Sequence, residues 1–225
     1  MIFERLATVA TWSLRDGSHR ENDEGLACVM EAVAYVAGEP WSDKPQCACP
    51  VISAFLRCWN DDVPDDATRT RLLGPFVERL VRSKSTPEVA LQRSYLALDW
   101  LVRVYTPAWL EVAGLRDHAG LCRQLAELHS EAACEAATPT IKGAAAASAA
   151  AWAAASAAAS ASACAAAWAA ASAAASDAAK AAGDAGDAGD AANGAAWDAV
   201  LEKLSPTFAA LQESTVDLIG RMLTL

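Results

Sequence analysis

His19, Cys28, Glu31, Cys47, Cys49 and Cys58 place six side chains able to ligate a metal or move a proton within forty positions. Cys47-Ala48-Cys49 is the tightest thiol pair and the weak candidate for a metal. Structural zinc sites use a C-x₂₋₄-C spacing and a second matching pair, and no such partner is present, so no metal or other cofactor is expected. Cys28 and Cys58 fall on expected helices and read as small buried hydrophobes. Asp16, His19 and Glu31 form the candidate catalytic group. A loop imidazole beside a helix carboxylate is the makings of general acid–base chemistry, and Trp41 and Asp43 are the candidate walls of a pocket beside it. The plainer alternative is that Asp16 and Ser18 stabilise a turn and Glu31 is solvated or salt-bridged. His118 and His129 lie among polar neighbours and read as surface residues.

Other chemistries lack their motifs. No GxGxxG, GxxxxGK[ST] or HExxH pattern occurs, and no GxSxG elbow. The acidic run Asp61 to Asp66 lacks the alternation and distant glutamate of a calcium loop, so it reads as a helix connection and cap. Whether the chain is an enzyme is left open by its residues.

The elements that must carry these side chains are helices. Leu26, Val29, Met30, Val33 and Ala37 mark one apolar face, with a cap expected at Asn22 or Asp23. Gly38 and Pro40 close that helix. The stretch Phe3 to Leu14 fits helix or strand. Pro50 opens a helix through Trp59. Asp65 or Asp66 caps the next, which Gly74-Pro75 breaks or kinks. Thr86-Pro87 starts a helix running to about Tyr105, with Leu91, Tyr95, Leu98, Val102 and Tyr105 along its apolar side. Thr106-Pro107 starts another, ended by Gly114. A last helix of this part covers about Asp117 to Glu127, and residues 129–137 extend it.

Thr138-Pro139 opens an alanine-rich tract. Residues 149–160 read AAAWAAASAAAS and recur unchanged at 165–176. Alanine has the highest helix propensity. The non-alanine positions step by four, so they advance about 40° each time and make no single stripe. Trp152, Trp168 and, further on, Trp197 are the candidate interaction residues on this small-residue surface. The bland alternative is an expanded repeat in which any helix former serves. Three Gly-Asp steps at 183–190 predict a weak helix or a turn, and Ser205-Pro206 predicts a new start for a final helix bearing Phe208, Leu211, Thr215, Leu218, Ile219 and Met222.

The fold class is therefore all-α: a multi-helix bundle over 1–137, then, over 138–225, a long alanine-rich helix, a Gly-Asp turn and a C-terminal helix packing back. The 225 residues carry a net charge of −10, split evenly at −5 before and after residue 142. Neither part has a basic face for phosphate backbones, so no nucleic acid is expected. Gly143 to Ser176 is uncharged, but alanine and serine lack the apolarity that favours insertion, so no membrane is expected either. Seven irregularly spaced cysteines and an N-terminus without a secretory pattern point to a reducing, cytoplasmic setting.

The segments DGSH (16–19), CVMEAVAYVAGEPWSD (28–43), CPVI (49–52) and AFLRCWND (54–61), followed by an alanine tract punctuated with Trp, Asp and Gly, resemble uncharacterised proteins of bacteria and their phages. That resemblance implies no activity, cofactor or site residue. The leading expectation is a non-enzymatic interaction or assembly module, its alanine-rich helix packing closely against another copy or another protein. The alternative is a small enzyme or metal-binding protein with its site in residues 16–58.

Overall fold

The computed structural model describes residues 1–21, 25–153 and 185–225, with backbone alone for 185–203. The fold is all-α. Among the described residues ten helices, α1 to α10, are joined by one two-stranded bridge. Two compact units divide the chain. One comprises Met1–Leu101, Glu127–Cys134 and Gln212–Leu225; the other comprises Val102–Ala126 and Glu135–Leu211.

The first unit is built around α2 (Val29–Ala37), seven of whose nine residues are buried. α1 (Phe3–Val9), α3 (Pro50–Asp62) and α5 (Val77–Leu80) pack on α2, and α6 (Pro87–Trp100) packs on α3. The stretch left open between helix and strand is both: α1 is followed by β1 (Ser13–Leu14), which pairs in parallel with β2 (Leu26–Ala27). Leu26 is therefore strand, and α2 starts at Val29, five or six residues later than the expected cap implies. Asn22 and Asp23 lie outside the described residues, and the cap is Cys28. Gly38 takes φ +78°, the left-handed turn that glycine adopts without a Cβ penalty. Asp65 caps α4 (Asp66–Leu73), whose run ends in a 3₁₀ turn at Gly74–Phe76. Leu56, Leu73, Leu80, Leu218 and Ile219 are each under 2% exposed and form the centre of this core. Full burial of such a side chain stabilises by roughly 1.5–3 kcal/mol.

Thr86 and Pro87 start α6 as expected. Of its predicted apolar side Leu91 is exposed, Tyr95, Leu98 and Tyr105 are half-buried and Val102 is buried, while Arg93, Asp99 and Trp100, off that side, are also inside. The Arg93 guanidinium donates to the carbonyls of Met222, at 2.8 Å, and Ser83. Asp99 accepts from the Leu128 N–H at 2.9 Å. Non-local backbone partners hold these polar groups inside, which periodicity does not register.

Thr106-Pro107 does not restart the chain. α6 widens into a π turn at Leu101–Tyr105 and continues as α7 (Thr106–Val112). Pro107 has no N–H to return to the preceding turn, and a π turn is where a helix absorbs such a loss. In the second unit α7 packs on α8 (Arg116–Arg123). α8 ends there rather than extending through 137. A new helix, α9, begins at residue 131 and runs to at least 153. Ser130 Oγ accepts from the Ala133 N–H, so the start signal is Ser130 and not Thr138-Pro139. Residues 137 and 138, between which composition suggested a boundary, are consecutive residues within this helix.

α10 is a single helix, Ala185–Met222. The Gly-Asp steps at 185–190 lie within it, and Pro206 sits in its interior rather than at a start. Leu211, Thr215, Leu218, Ile219 and Met222 are all buried, as the apolar pattern predicted. Residues 212–225 pack back into the first unit.

Candidate functional site

Glu31 is the third residue of α2 and is 1% exposed. Its carboxylate completes a capping box with Cys28, accepting the Cys28 N–H at 2.8 Å while Cys28 Sγ accepts the Glu31 N–H. A carboxylate at this position also meets the positive end of the helix. The same carboxylate reaches the preceding loop. Oε1 accepts the His19 N–H at 2.7 Å, and Oε2 lies 3.1 Å from His19 Nδ1. His19 in turn accepts the Trp41 indole N–H on its carbonyl at 2.8 Å. Two of the three candidate catalytic residues are thus in direct contact and the third, Asp16, is exposed and is not one of Glu31's partners. With Nδ1 engaged, Nε2 is the ring nitrogen with no partner among the described residues.

A 310 Å³ cleft is lined by the 17–18 turn, Cys28, Asp43, Arg57, Cys58, Asn60 and Asp61; neither His19 nor Glu31 lines it. Asp43 lines it and is paired with Arg57 at 3.5 Å; Trp41 does not line it. Burial pushes the Cys28 thiol up to about 12, so near neutral pH it is a protonated thiol and a poor nucleophile. Cys47 is pushed up to about 11, first by burial and then by the Glu39 carboxylate. Cys49 is buried and its N–H donates to Ser83 Oγ at 3.0 Å. The six described cysteines form no disulfide. Among the described residues no three His, Cys, Asp or Glu side chains are grouped to hold a metal ion.

A second cleft, 330 Å³, lies in the second unit. α7 and the π turn supply Tyr105, Thr106, Trp109 and Leu110; α9 supplies Ile141, Ala144, Ala145 and Ser148. Small side chains on α9 leave the space open. Trp109 packs edge-on against Phe208, with ring centroids 5.1 Å apart. One turn beyond Ser148, Trp152 is 76% exposed. Ile141, Ala145, Ser148 and Trp152 follow i, i+4, i+7, i+11, so they share a helix face. Trp168 lies outside the described residues, as does the side chain of Trp197. No helix among the described residues is long and apolar enough to cross a membrane.

No family model, curated protein or solved structure matches the chain.

Proposed function

We propose that this protein is a non-enzymatic interaction module, whose α9 face mediates close helix–helix packing with a second copy or another protein. The observation that carries this reading is the 76% exposure of Trp152 on an uncharged helix face. A tryptophan buries 150–250 Å² when it finds a partner, and exposed clusters of large apolar groups mark interaction sites. The neighbouring 330 Å³ cleft has room for an indole, so a symmetric pair of copies could exchange tryptophans. Uncharged residues 143–153 allow that approach despite the chain's net charge of −10. Two such contacts fall short of the ~1,600 Å² of a standard stable interface, so self-association is weak and depends on concentration. That the six described cysteines form no disulfide fits a reducing cytoplasm.

The test uses the full chain. Light scattering over a wide concentration range is expected to show mass rising above that of a monomer, and Trp152→Ala to remain monomeric throughout. Stability of that variant is expected to stay within about 0.5 kcal/mol of the parent, as for other exposed positions. A parent chain that stays monomeric, with no difference from Trp152→Ala, sinks self-association.

The His19–Glu31 contact favours a second reading, a small enzyme in which His19 is a general base. A carboxylate on one imidazole nitrogen orients the ring and leaves the other for substrate. Long-range ¹H–¹⁵N spectra are expected to show the neutral His19 ring protonated on Nδ1, and Glu31→Gln to disturb that state. A ring protonated on Nε2 removes the base from this reading.

A further inference from the structure

A third cleft, of 290 Å³, lies in the first unit against the opening turn of α3. Pro50, Ser53 and Arg57 line it from one stripe of that helix, and Lys44, Gln46 and Lys84 line it from the surrounding segments. Three cations around one small cleft are unexpected in a chain with 28 acidic residues and 18 Lys and Arg. The helix end adds to the field. α3 has thirteen residues, no acidic residue in its first turn and no side-chain cap. Pro50 has no N–H, and the Ser53 N–H is taken by the Cys49 carbonyl at 2.9 Å. The positive end of the helix, with the N–H groups of Val51 and Ile52, therefore stays uncompensated.

Ser53 is the second observation. It is 3% exposed, it lines the cleft, and its Oγ is shut off from solvent without any hydrogen-bond partner. A helical serine ordinarily bonds the carbonyl four residues back, and an unmade bond of this kind costs about 1–3 kcal/mol. Two carboxylates lie near the cleft, each bonded to a residue that lines it. Asp43 offsets the charge of Arg57, and the Glu39 carboxylate accepts the Gln46 N–H, which leaves Lys44 and Lys84 as the cations not offset by an ion pair among the described residues.

The geometry points to an anion-binding site here, taking a phosphoryl group as free phosphate or as the monoester of a small molecule. Lys44 and Lys84 supply charge, Ser53 Oγ supplies a hydroxyl donor, and the end of α3 supplies its positive potential. Arg57 joins them from beside Asp43. This site is separate from α9 and does not depend on the assembly reading.

The test is calorimetric titration of the full chain with inorganic phosphate, against sodium chloride at matched ionic strength. Saturable binding of phosphate alone is expected. Ser53→Ala is expected to weaken it about tenfold, the loss of one hydrogen bond to a charged group, while leaving the chain as stable as before or more so, because an unpaired buried hydroxyl is removed. Lys44→Ala and Lys84→Ala together are expected to abolish it. Glycerol 3-phosphate distinguishes the sources: tighter binding than phosphate assigns the rest of the cleft to an organic moiety, and equal binding assigns the free ion. Indistinguishable responses to phosphate and chloride overturn the proposal. So does phosphate binding that Ser53→Ala and the double lysine variant leave unchanged.

Discussion

Arg69→Ala is expected to lower the unfolding free energy by about 3–5 kcal/mol, the range for breaking a buried ionic hydrogen-bond network from one side. Arg69 is 2% exposed. Its Nε donates to the Asn60 carbonyl at 2.6 Å and its Nη2 to the Val63 carbonyl at 2.7 Å. These carbonyls belong to the last turn of α3 and the residue capping it, which have no intrahelical donors of their own. Nη1 pairs with Asp66 in the first turn of α4 and reaches the Leu14 carbonyl on β1. One planar fork thus joins the end of one helix, the start of the next and the strand bridge. Lysine cannot reproduce that fork, so Arg69→Lys is expected to recover little. Urea unfolding reads the effect as a lower midpoint with an unchanged slope. For a chain at the low end of the usual range, about 5 kcal/mol, a loss of that size brings the variant close to unfolding. A loss under 1 kcal/mol contradicts this account.

Ile219→Ala is expected to cost about 2–5 kcal/mol, as buried aliphatic truncations do, and to lower Tm by several degrees. Ile219 is fully buried, flanked by Leu218 at 1% and Met222 at 0% exposure. The same turn supplies the Met222 carbonyl that accepts from Arg93, and Trp100 donates to Ser214 Oγ at 3.0 Å one turn earlier. Trp152→Ala removes a larger side chain from the same chain and is expected to cost almost nothing. Calorimetry on both variants separates a structural C-terminal helix from an exposed interaction surface. For the same reason a fragment ending at Ala137 is expected to be insoluble, because it lacks the side chains that close the first core.

Local chemistry made much of this fold legible. Gly38, Asp65, Thr86 and Pro50 act at helix ends through their own backbone geometry or side-chain oxygens, and those signals need no distant partner. Pro139, Pro206 and the Gly-Asp steps misled for the converse reason: each lowers helix propensity by a fixed local amount, and a long run of good helix formers around it offsets that cost. Periodicity puts Leu91 inside and gives no mark to Arg93, because the acceptor of Arg93 is 129 positions away. At the site, His19 and Glu31 were visible as compatible residue types separated by one turn and a helix start. Cys28 gives no cap signal in sequence because sulfur is a weak acceptor. Ser53 carried no signal at all; only its burial without a partner distinguishes it.

The first unit is assembled from Met1–Leu101, Glu127–Cys134 and Gln212–Leu225. Its last contributor is made only after 124 further residues have followed Leu101. At about 5–20 residues per second, a nascent chain spends roughly 6–25 s with the seat of Leu218, Ile219 and Met222 vacant. During biosynthesis the first core therefore stays unfinished, with apolar surface open, until the final turns of the chain have been made.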